Sequence, residues 1–114
     1  MRRIVIRKLR IAVLAVIGLQ SSFAHADNAA VERGAAVIEQ WCRMCHLRAT
    51  DKPDPVMAPP YEEIVLREGR DRAYFERFLK EEHFPMTTFR LFDNEKADVV
   101  AYLMALQKAG LTKK

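Results

Sequence analysis

The 114-residue chain carries 19 Lys+Arg against 15 Asp+Glu, but Arg2, Arg3, Arg7, Lys8 and Arg10 crowd its first ten positions. Setting those five aside leaves 14 basic residues against 15 acidic ones, a balance of −1, so the high pI is no argument for nucleic-acid binding. The 88 residues after position 26 allow one domain with a limited apolar core, a size at which an extra staple is often needed.

Residues 1–26 have the three parts of a cleaved secretory signal peptide. These are the basic start, the apolar run Ile11 to Leu19, and Ala24-His25-Ala26 as the small-x-small end. The apolar run is far short of the roughly 20 residues that span a bilayer, so the mature chain, 27–114, is not expected to cross a membrane.

Val31, Ala35, Ile38 and Cys42 recur at helical spacing and predict an amphipathic helix from about Asn28 to Cys45, with Asp27 or Asn28 as its cap. At its end stands Cys42-Arg43-Met44-Cys45-His46. Two cysteines three apart, with a histidine directly after, read as an attachment site for c-type haem. Both thiols add to porphyrin vinyl groups and His46 ligates the iron.

Other chemistries compete for the same residues. A structural disulfide leaves His46 unexplained. A thioredoxin-like pair wants a strand-helix-strand setting, and the sequence offers no convincing strand. A zinc site would have to combine Cys45 and His46 with the distant His83, a poor match to paired-ligand spacing.

Four prolines between Leu47 and Pro60 predict a loop, and a short helix follows from Tyr61 towards Gly69, a left-handed stop. Asp71 caps a third helix with Tyr74, Phe75, Phe78 and Leu79 on its apolar side, and Pro85 ends any continuation. After an aromatic-rich link, the last helix starts at Asp93 as a cap, shows Val99, Tyr102, Leu103 and Leu106 on one side, and stops before Gly110.

Taken together, Gly34, Ile38, the Cys42–His46 motif, Ala58-Pro59-Pro60-Tyr61, Pro85-Met86 and Asp98 to Leu103 resemble a class I c-type cytochrome over nearly the whole mature chain. The resemblance implies an all-α cytochrome c fold. Three to four short helices would wrap one covalently attached haem c, with the first and last helices crossing closely at Gly34.

It further implies that the Pro59 carbonyl accepts a hydrogen bond from the His46 imidazole, making it more electron-donating, and that Met86 is the distal iron ligand. A thioether in that position favours reduced iron and hence a relatively high potential. Among rivals for the sixth position, Met44, Met57 and Met104 are poorly placed in the sequence, and His83 is the serious one, its alternative being a solvated residue at a helix end. Arg67, Arg70 and Arg72 are candidates for the haem propionates or else a solvated basic face, and Trp41 either reaches a propionate or covers the haem edge.

The resulting expectation is a periplasmic monohaem electron carrier, not an enzyme, exchanging single electrons with transient protein partners such as a dehydrogenase, an oxidase or another cytochrome. Its exposed edge would be looked for around Arg43, Met44, Met57 and Arg90. The alternatives are a ligand sensor or peroxidase-like protein with an open or His83-ligated distal site, and a small cytochrome subunit of a dehydrogenase or oxidase complex.

Overall fold

The structure, a computed structural model, describes residues 27–113 apart from Phe84, Thr87 and Phe89. The expected signal segment, 1–26, lies outside the described residues. Helix α1 covers residues 27–41, α2 is Tyr61–Ile64, α3 is Arg72–Lys80 and α4 is Asp93–Leu111. The only extended pairings among the described residues are isolated bridges, His46 with Ala58 and His83 with Met86, so the protein is all-α. Among the described residues no helix is long and apolar enough to cross a membrane.

Helix α1 begins earlier and ends earlier than its periodicity suggests. Residue 27 is already helical, so neither Asp27 nor Asn28 is the cap. The regular helix stops at Trp41 rather than Cys45 because the next backbone groups are taken elsewhere. Ala58 donates its N–H to Cys45 O at 2.7 Å, and its carbonyl accepts from Leu47 N at 3.2 Å. Helix α2 is a single turn, since Gln107 of α4 donates to Val65 O at 2.7 Å and Arg70 O at 2.6 Å. With the Val65 carbonyl so occupied, the chain continues in three-residue turns to Gly69, which has φ +73°.

Helix α3 starts as its sequence predicts, the Asp71 carboxylate accepting from Tyr74 N at 2.7 Å. The N-cap of α4 is Phe92, not Asp93. Its ring has nothing to cap with, and Glu95 instead reaches back to accept the Phe92 N–H at 2.8 Å. Gly110 lies inside α4 rather than beyond it. A Cβ there would stand 3.0 Å from Leu66 Cδ2, so the glycine makes room for a side chain and does not end the helix.

One apolar cluster joins the helices: Ile38 of α1, Tyr61 of α2 and Val65 just after it, Phe75 and Leu79 of α3, and Val99, Val100 and Leu103 of α4. Helices α1 and α4 cross where Gly34 meets the Asp98 backbone. A Cβ on Gly34 would lie 2.0 Å from Asp98 O and 3.0 Å from Tyr102 Cβ. Beside the crossing, Arg33 grips the Asp98 carboxylate with two bonds of 2.7 and 2.9 Å. Its planar fork matches the carboxylate and fixes the rotation of one helix on the other.

Candidate functional site

The Cys42–His46 segment leaves α1 as a tight turn in which Cys42 O accepts both Cys45 N, at 3.1 Å, and His46 N, at 2.9 Å. From there residues 47–58 form a lobe whose two ends are closed by the His46–Ala58 bridge. Within the lobe, Asp54 turns the chain by accepting Val56 N at 2.9 Å, and Asp51 accepts Arg48 N at 2.7 Å. Closing the lobe brings Pro59 opposite His46.

Nδ1 of His46 lies 2.9 Å from Pro59 O. A carbonyl only accepts, so the proton is on Nδ1 and the Nε2 lone pair is left for another partner. Pro60 follows, with no N–H of its own. The Tyr61 ring stacks on the imidazole, centroids 4.4 Å apart and planes 22° from parallel. The Cys42 sulfur lies near the Tyr61 phenol, within the apolar cluster that Cys42 packs against. Burial, with smaller contributions from this sulfur, pushes the phenol far above its ordinary range, so Tyr61 stays neutral.

Arg43, between the two cysteines, is turned inward with only 12% of its side chain exposed. Its Nε donates to Glu39 at 2.8 Å and an η-nitrogen to Leu47 O at 2.9 Å, while its guanidinium sits 5.9 Å from the Tyr61 ring centre. Arg48 also pairs with Glu39. Hydrogen bonds from these two arginines hold the Glu39 carboxyl below its ordinary value. Arg43 is thus a brace within the turn and not part of the exposed edge expected from the sequence.

Cys42 and Cys45 are unbridged. Cys42 sits at the C-terminal end of α1, and burial raises its thiol pKa. A catalytic dithiol wants the opposite, a helix N-terminus that lowers it. Among the described residues no three His, Cys, Asp or Glu side chains gather to hold a metal ion.

Met86 is half-buried against the same apolar cluster that Cys42 borders. His83 is occupied elsewhere: its ring stacks on Phe78 at 3.8 Å and its Nδ1 lies 3.0 Å from Glu81 O. Met104 packs on the core, and Met44 is 78% exposed beside Trp41 at 43%. Of the three arginines, Arg72 is paired with Glu76 and Arg67 is exposed. Arg70 lies 4.1 Å from the Tyr74 ring centre, and its Nε is buried without a hydrogen-bond partner. The surface depressions beside Leu66 and Arg67 include none of Cys42, Cys45, His46 or Met86.

The donor set suits a covalently held haem: two unbridged thiols one turn apart, then an imidazole with Nδ1 committed and Nε2 uncommitted. Sequence reasoning did not single out Tyr61, Arg43 or Thr88 as supports. Tyr61 carried a signal, an aromatic directly after the proline pair. Compared with protein-family models, curated proteins and solved structures, the chain shows no match.

Proposed function

We propose that this protein is an exported monohaem c-type cytochrome that carries single electrons between protein partners. The observation that carries the reading is His46, which follows two unbridged thiols and has its Nδ1–H committed to Pro59 O at 2.9 Å. Cys42 and Cys45 would hold the haem covalently, and His46 Nε2 and the Met86 thioether would be the ligands to its iron. When bound, such a group supplies a one-electron iron couple.

The chain's own contribution is orientation. Pro59 fixes the tautomer and would make the imidazole a more electron-donating ligand, Tyr61 holds the plane of its ring, and Arg43 locks the turn between the thiols. His83 would have to abandon Phe78 and Glu81 to serve as a ligand or as an acid-base group, which favours Met86 in that position. Trp41 and Met44 offer apolar contact area beside the motif for small, short-lived encounters. The periplasm of a bacterium is the setting the export segment and the covalent attachment suit.

Absorption spectra of the exported protein, oxidised and reduced, test this reading. Covalently bound haem is expected, with a weak near-infrared charge-transfer band of sulfur-ligated ferric iron that disappears in Met86→Ala. Haem without that band would refute Met86 as the ligand and favour the open-site sensor or peroxidase. Absence of covalent haem would refute the cytochrome altogether.

A further inference from the structure

The segment that presents Met86 is fastened at both ends. Before it, the His83 ring lies flat on Phe78 of α3. After it, Thr88 is only 3% exposed, and its hydroxyl donates to Leu79 O at 3.0 Å, with Glu81 O at 3.5 Å as a weaker second acceptor. Leu79 belongs to the last turn of α3, where carbonyls have no partner within the helix. The chain turns extended at Glu81, so no following N–H can serve that carbonyl. Thr88 fills the vacancy from nine residues away, and its own carbonyl accepts Leu91 N at 3.1 Å to start the turn into α4.

We propose that Thr88 is the positioning residue for Met86. Its hydroxyl latches the segment to the end of α3 and keeps the thioether from swinging away from the iron. The proposal rests on Met86 being a ligand, the reading given above. Thr88 touches neither iron nor haem in this scheme; it acts by making the detached state of the segment rarer. A competing ligand binds only to that detached state, so its apparent affinity is its intrinsic affinity multiplied by the detached fraction. Losing one buried hydrogen bond raises that fraction roughly tenfold.

The test is imidazole titration of the ferric, haem-loaded, full-length protein. Thr88→Val, which keeps the shape and removes the donor, is expected to bind imidazole roughly tenfold more tightly. Thr88→Ser, which keeps the donor, should stay close to wild type. If Thr88→Val does not accumulate, Thr88→Ser and Thr88→Ala make the same comparison, and equal affinities in that pair overturn the proposal. A lower denaturation midpoint with unchanged imidazole affinity overturns it as well, because Thr88 would then serve only the fold. If wild type lacks the sulfur-to-iron band, the ligand reading itself fails and Thr88 falls with it. If the band is present and Thr88→Val binds imidazole like wild type, Thr88 alone is refuted.

Discussion

Replacing Gly34 by alanine drives a methyl group into the backbone of the opposing helix. The new Cβ would stand 2.0 Å from Asp98 O and 2.5 Å from Asp98 C, whereas a carbon rests against a carbonyl oxygen at about 3.3–3.6 Å. The crossing must therefore widen by more than about 1 Å, lifting Ile38 from Val99 and Val100 and misaligning the Arg33 fork on Asp98. Overpacking of this kind costs about 1–3 kcal/mol or more, and a helical carbonyl has less room to yield than a side chain. Alanine returns about 1 kcal/mol through helix propensity.

With the cost at or above the upper end of that range, the balance is a net loss of about 2 kcal/mol, or a midpoint lower by roughly 8 °C or more for a domain of this size. Gly110→Ala is the control. There the new methyl group meets only the tip of Leu66, at 3.0 and 3.1 Å, which can rotate, so stability should stay within about 1 kcal/mol of wild type. Thermal and urea melts of both variants and the wild type, followed by far-ultraviolet circular dichroism, measure both. A Gly34→Ala protein as stable as wild type, or more so, would refute the close crossing.

Gln107→Met should lose about 2–3 kcal/mol in a urea melt, because the Val65 and Arg70 carbonyls lose their donor together; a loss under about 0.5 kcal/mol would contradict the clamp. Asp71→Ala removes the α3 cap and should cost about 1 kcal/mol, with Asp71→Asn close to wild type. Glu39 has a carboxyl pKa lowered in the folded state by Arg43 and Arg48, so its contribution is present above the ordinary carboxyl value and fades as pH falls through the folded value. The urea midpoints of wild type and Glu39→Gln should accordingly differ at pH 7 and converge in acid; an offset constant with pH would contradict this.

Much of the frame was legible because it rests on local chemistry or on a residue type with few uses. Asp71 is a cap by type and position, Gly69 takes the left-handed turn that few other residues accept, and Gly34 inside a helix asked for a close neighbour. Gly110 misled because a glycine near a helix end usually stops it, and only Leu66, far away in sequence, shows its other purpose. The end of α1 was misplaced for the same reason. Spacing reported apolar positions but not that Ala58 would take the Cys45 carbonyl. Around the candidate site, His46 and Pro59 stood out through motif and loop, whereas Thr88 looked like one more polar loop residue. Its meaning depends on the unfilled carbonyl of Leu79 across the turn.

The neck formed by His46 and Ala58 has a use for anyone who wants to modify the protein. Residues 48–56 beyond it are all exposed, and the bonds that pinch the lobe lie at its base. The posture of the imidazole is therefore insulated from what the lobe contains. Doubling the length of a flexible loop costs only about 0.6 kcal/mol. A peptide tag or surface tether spliced between Lys52 and Pro53 would hang from the molecule beside its candidate redox centre while leaving the histidine's hydrogen bond untouched.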